Sequence, residues 1–142
     1  MRLHFKKLNP NAVLPTYAHA TDAGLDLTAT SGRFDPTNQV WEYGCGLAVE
    51  IPEGYVGLLF PRSSVYRTGM VMSNCVGVID SGYRGEIMAK FYAPPPDITQ
   101  PYDLGERFAQ LVIVPIPRIE TYLVDRLSDS DRGEGGYGST GR

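Results

Sequence analysis

Glycine and proline divide the apolar residues of this chain into many short runs. There are 16 Gly and 11 Pro in 142 residues, above average usage. Punctuation this dense favours short strands joined by turns over helices, so an all-β domain is expected. The length suits one domain and is enough to bury a real core.

The clearest strand signals flank one turn. Val76, Val78 and Ile79 are β-branched and lead directly to Asp80. On the far side Ile87, Ala89 and Phe91 alternate with Glu86, Met88 and Lys90, the period-2 pattern of a half-buried strand. Gly82 and Gly85 lie between the two arms and allow positive φ. The expectation is a β-hairpin with the Asp80 carboxylate and the Tyr83 ring at its tip. A carboxylate carried by an apolar arm to a sheet rim suits a general base that is partly desolvated yet reaches water. A turn aspartate that only hydrogen-bonds its own loop would have the same local sequence.

Other elements read as follows. Residues 3–7 form a first short strand. Residues 46–51 alternate, Pro52, Glu53 and Gly54 turn the chain, and residues 55–60 return as a second hairpin. Residues 70–79 and 86–92 flank the central turn, and Pro94, Pro95 and Pro96 make a stiff loop. Residues 108–116 are a buried strand in which Gln110 needs hydrogen-bond partners. Residues 122–124 form a last short strand. Ser63 or Ser64 caps a short helix that Gly69 ends. With Arg62 beside it, this is either an anion site or a capped surface turn. Asp26 lies between Leu25 and Leu27 and so faces away from them, placed to bond loop amides or to hold a metal or its water.

From Ser128 onward the chain has almost no apolar residue besides Tyr137. Residues 1–127 therefore read as the β-domain and residues 128–142 as a glycine-rich arm that is flexible when empty. Gly133, Gly135 and Gly138 match a dinucleotide fingerprint only as a string, because no strand precedes them and the chain stops before a helix. A flap is the better reading. Glycines let the backbone approach phosphates, Arg132 offers a bidentate fork, Ser139 and Thr140 offer hydroxyls, and Tyr137 offers a stacking plane. A plain disordered tail is the alternative.

The formal charge is −3, from 13 Lys+Arg against 16 Asp+Glu, which argues against broad binding of nucleic-acid backbone. Any phosphate chemistry must rely on a few placed cations. Cys45 and Cys75 belong to no ligand cluster and read as free thiols in a reducing compartment. No signal peptide or membrane span is apparent, so a soluble cytoplasmic or nuclear protein, not a secreted one, is expected. His4 and His19 are the only histidines. Both read as surface or packing residues, too few for a Ser/His/Asp nucleophile.

Five stretches, taken in order, resemble the five motifs of the homotrimeric dUTPases: residues 23–27, 61–64, 77–85, 105–111 and 132–141. The resemblance covers nearly the whole chain. It implies a distorted jelly-roll-like β-barrel with one short helix, assembled as a homotrimer with active sites at subunit interfaces. It implies hydrolysis of dUTP to dUMP and pyrophosphate with Mg2+, keeping uracil out of DNA and supplying dUMP. By position, Asp80 resembles the general base that activates water against the α-phosphorus. Tyr83 resembles the ring under the deoxyribose, where a ribose hydroxyl would clash. Asn74, Gly77, Val78 and Ile79 look like the uracil reader. Arg62, Ser63 and Ser64 look like a phosphate cradle, and Gln110 like a phosphate or metal-water contact. Asp26 resembles the acid that holds magnesium's waters. Arg132, Gly138, Ser139 and Thr140 resemble phosphate clamps in an arm that closes over a neighbouring subunit's site, and Tyr137 resembles a ring stacked on uracil, where many members carry Phe. Ser64 stands where glycine is frequent and Gly82 where an acid is frequent. Two alternatives share the fold: a binding or regulatory protein, and a dCTP deaminase-like enzyme, for which no added carboxylate is present in the uracil-reading stretch.

Overall fold

Side-chain alternation decides which face each strand buries. In the strand Met88–Tyr92, Ala89 and Phe91 are buried while Met88, Lys90 and Tyr92 are exposed. The computed structural model describes residues 1–92 and 102–137. In chain order the strands are β1 (His4–Lys7), β2 (Leu25–Thr28), β3 (Ser31–Asp35), β4 (Val40–Gly44), β5 (Leu47–Glu50), β6 (Tyr55–Pro61), β7 (Val71–Met72), β8 (Gly77–Ile79), β9 (Met88–Tyr92) and β10 (Arg107–Pro115). All pairings between them are antiparallel. One sheet runs β2-β10-β6-β8, a second runs β3-β4-β9-β7, and β1 and β5 make a two-stranded ribbon. This is the expected all-β, jelly-roll-like architecture.

The core lies between the two larger sheets. Tyr43 of β4 is fully buried. Its ring meets Phe91 of β9 at 6.1 Å, Tyr102 at 5.5 Å and Phe108 of β10 at 5.8 Å, centroid to centroid. Its hydroxyl accepts the Tyr102 N–H at 3.2 Å, so the polar tip is paired inside the apolar cluster. Leu27, Leu59 and Leu111 fill the same space from β2, β6 and β10.

Both predicted hairpins are corrected. β8 pairs with β6, whereas β9 pairs with β4 and β7. The arms on either side of Asp80 therefore enter different sheets, and its turn spans the gap between them. The cause is visible at Ile87, whose N–H donates to Leu47 O at 2.9 Å and whose carbonyl accepts the Cys45 N–H at 3.2 Å. Those bonds draw the second arm away from β8. Likewise β5 pairs with β1, and β6 pairs with β10 and β8. The turn at Pro52–Gly54 is real, with Gly54 at φ +82° and the Tyr55 N–H bonded to Pro52 O at 3.2 Å. Only the predicted pairing across it is missing.

Three smaller differences follow. The short helix is a 3-10 turn, Ser63–Arg67, and its N-cap is Arg62 with no side-chain cap bond. Gly69, at φ +67°, ends it as expected. Residues 122–124 form no strand, and Tyr122, Leu123 and Val124 are exposed, because nothing in the described chain offers them a ladder partner. Gly82 and Gly85 do not adopt positive φ, whereas Cys75 does, at +57°. The predicted loop at Pro94, Pro95 and Pro96 lies outside the described residues.

Candidate active site

Beyond β8 the chain leaves its sheet and turns tightly. The Asp80 carbonyl accepts the Tyr83 N–H at 3.0 Å. The Tyr83 hydroxyl donates to Glu86 O at 2.9 Å, folding the ring back along the turn. Arg84 Nη1 donates to Ser81 O at 2.6 Å and Tyr83 O at 2.9 Å, bracing the turn from the other side. Gly85 leaves room for the Tyr83 ring. A Cβ at this position would stand 2.6 Å from Tyr83 Cζ, closer than any side chain tolerates. The Asp80 side chain is exposed, and its carboxylate makes no hydrogen bond to its own loop among the described residues. An aspartate serving only its turn would be so bonded.

This turn walls a cleft of about 240 Å³ that also holds Asn74, Gly77, Val78 and Ile79. Asn74, Gly77, Val78, Ile79, Asp80 and Tyr83 thus meet at the β8 edge, whereas Tyr137, assigned to stack on uracil, does not line this cleft. Gly77 lacks a side chain for a reason: a Cβ there would lie 3.1 Å from Leu59 Cβ and 3.6 Å from Asn74 Nδ2. Leu59, Glu86, Ile87 and Met88 line the cleft too. They carried no sequence signal, since strand packing explains each of them. The left-handed backbone of Cys75, next to Asn74, was equally unreadable, because any residue type except glycine and asparagine argues against that conformation.

The remaining predicted residues gather elsewhere. Ladder register places Asp26 opposite Gln110, and Gln110 opposite Phe60, so the three project from one face across β2, β10 and β6. With Arg62, Ser63, His19 and Asp22 they line a second cleft of about 370 Å³. Gln110 finds its partner in Pro61 O, to which Nε2 donates at 3.1 Å. Gly24 leaves room for that amide, since a Cβ would collide with Gln110 Oε1. Asp26 is clamped by two guanidiniums, with Arg62 Nε on Oδ1 and Arg107 Nη1 on Oδ2, each at 2.8 Å. Arg107 was not anticipated. Ser64 is half-buried and lines neither cleft. The two clefts share no lining residue.

Asp26 is the one acid assigned to magnesium, and both its oxygens already accept from arginine. Among the described residues no group of three or more His, Cys, Asp or Glu could hold a metal ion. The donor set therefore fits magnesium brought in on phosphate oxygens with its own waters, and does not fit a protein cage.

In the arm, Arg132 Nε donates to Gly135 O at 2.9 Å and Tyr137 is fully exposed. Gly138, Ser139 and Thr140 lie outside the described residues. No helix among the described residues is long and apolar enough to cross a membrane.

The dUTPase family model matches residues 10–141. A deoxyuridine 5'-triphosphate nucleotidohydrolase of Thermobifida fusca is 39% identical over 142 residues, spanning 99% of this chain and 79% of that protein. Among solved structures, a dUTPase variant of Staphylococcus bacteriophage 80alpha with dUpNHpp superposes with a TM-score of 0.86 at 33% identity, covering 99% of each chain. A dUTPase variant of phage phi11 of S. aureus, described with a structural Mg(II) ion, gives a TM-score of 0.75 at 30% identity over 89% of this chain and 98% of that one.

Proposed function

Because the chain belongs to the dUTPase family, we propose that it hydrolyses dUTP to dUMP and pyrophosphate, with Asp80 as the general base. The observation that carries this reading is the β8-edge cleft, where Asn74, Tyr83 and an Asp80 carboxylate unclaimed by its own loop stand together. Asp80 takes a proton from water as the water oxygen bonds to the α-phosphorus. The bond from that phosphorus to the α,β-bridging oxygen breaks, and pyrophosphate leaves with the electron pair. Holding the water in line matters more than an altered acidity. Magnesium bound to the triphosphate would neutralise part of its charge. Asp26, through its remaining lone pairs, would accept hydrogen bonds from the ion's waters. Arg62, Ser63 and Gln110, which share the second cleft, bind phosphates, joined by Arg132, Gly138, Ser139 and Thr140 when residues 128–142 fold over the site. Tyr137 stacks on uracil.

The active unit is a homotrimer with sites at subunit interfaces. Two features support it. The nucleoside residues and the phosphate residues line separate clefts in one chain, as suits a site completed by a neighbour. Beyond β10, Ile116, Ile119, Tyr122, Leu123, Val124 and Leu127 are all exposed, an apolar stripe that a second copy would cover. Free Cys45 and Cys75 fit a reducing compartment, cytoplasmic or nuclear.

The test is pyrophosphate release from dUTP, dTTP, dCTP and UTP. Rapid release from dUTP alone is expected. Ammonia release from dCTP would favour the deaminase, and tight dUTP binding without turnover would favour a regulatory protein.

Gly85→Ala probes sugar selection. Its methyl group must displace the Tyr83 ring, so the preference for dUTP over UTP in kcat/KM should fall roughly tenfold. An unchanged ratio would separate the ring from sugar discrimination.

A further inference from the structure

One residue pair in the phosphate-side cleft belongs to none of the five motifs' assigned roles. The Asp22 carboxylate accepts two hydrogen bonds from His19, one from the main-chain N–H at 2.9 Å and one from ring Nδ1 at 3.2 Å. The Asp22 N–H in turn donates to His19 O at 3.1 Å. Three bonds within four residues fix the turn and the plane of the imidazole. With Nδ1–H committed to Asp22, Nε2 is the ring's remaining polar atom. Both residues line the same cleft as Arg62, Ser63 and Gln110.

The charges in this cleft explain what such a ring could do. Asp26 is already occupied by ion pairs to Arg62 and Arg107. Asp22 adds a further carboxylate. Arg62 is the only arginine among the residues that line the cleft, so a triphosphate there would meet few cationic donors. His19 adds a further nitrogen-bearing side chain to the lining that Arg62 shares.

We propose that His19, oriented by Asp22, is a phosphate-binding residue whose imidazolium Nε2–H donates to a non-bridging oxygen at the β,γ end of dUTP. The inference rests on the dUTPase reading for the identity of the ligand, while its chemistry, an Asp-held imidazolium on a polyphosphate, needs only the cleft. It extends the cradle of Arg62, Ser63 and Gln110 by a side chain supplied from the segment before β2.

His19→Ala tests it in the full chain. The His19 side chain is 82% exposed, so its loss leaves the core intact, and an idle surface ion pair there would change nothing measurable. The KM for dUTP should rise roughly tenfold, as for one lost charge-assisted hydrogen bond, with kcat within about twofold. Inhibition by dUMP, which lacks the β and γ phosphates, should be unchanged. The affinity for inorganic pyrophosphate, read by calorimetry, should weaken by a similar factor, and His19→Arg should restore most of both. An unaltered KM together with unaltered pyrophosphate affinity would overturn the proposal, as would equal weakening of dUMP. If the wild-type chain released no pyrophosphate from dUTP, the enzymatic reading would fail, while the pyrophosphate titration would still judge His19.

Discussion

Replacing Asp80 with asparagine should lower turnover of dUTP by roughly 10²–10⁴-fold, the usual contribution of a positioned general base. KM should stay within a few-fold, because the amide keeps the shape of the carboxylate and Asn74 and Tyr83 still line the cleft. Stability should not change. The Asp80 side chain is exposed and makes no bond to its loop, so nothing in the fold depends on its charge. Steady-state kinetics with a thermal melt would check both halves. Near-normal kcat in the variant would remove Asp80 from the chemistry, and a large fall in Tm would make it a structural residue instead.

Deleting residues 132–142 should cut kcat/KM for dUTP by roughly 10²–10³-fold. The estimate corresponds to losing two charge-assisted phosphate hydrogen bonds, each contributing about 1.5–2 kcal/mol. Folding should be spared. Arg132 bonds only within its own turn, at Gly135 O, and Tyr137 is fully exposed, so the described part of the arm adds nothing to the core. The truncated chain should therefore melt within a few degrees of the full chain while losing most of its activity. A lowered Tm would tie the arm to the fold, and full activity would exclude it from the site.

Much of the site was legible before any coordinates. Turn chemistry and strand alternation, which act between near neighbours, place Asp80 and Tyr83 at one turn, whereas Asn74 and Gly77–Ile79 were assigned by family resemblance; all of them line one cleft. Gln110 was marked as a polar residue in a buried strand, and its partner proved to be Pro61 O. The ion pair of Arg107 with Asp26 could not be read, since its partners lie 81 positions apart. His19 was read as a surface or packing residue and its side chain is exposed; that it also lines the phosphate-side cleft has no local pattern to signal it.

The fold divides in the same way. Short apolar runs, glycine and proline spacing and period-2 alternation determine that the chain makes strands and, in segments such as Met88–Tyr92 and Arg107–Pro115, which residues face inward, whereas β3 and β4 carried no such signal and residues 122–124 form no strand. These patterns are properties of neighbouring residues, and steric and solvation preferences act on them directly. Pairing is a competition among distant segments, and only the tertiary structure decided it. β8 pairs with β6 and not β9, while the Ile87 backbone at the head of the second arm is bonded to Cys45 and Leu47. That pairing sets the Asp80 turn between two sheets, where a hairpin would have kept both arms in one.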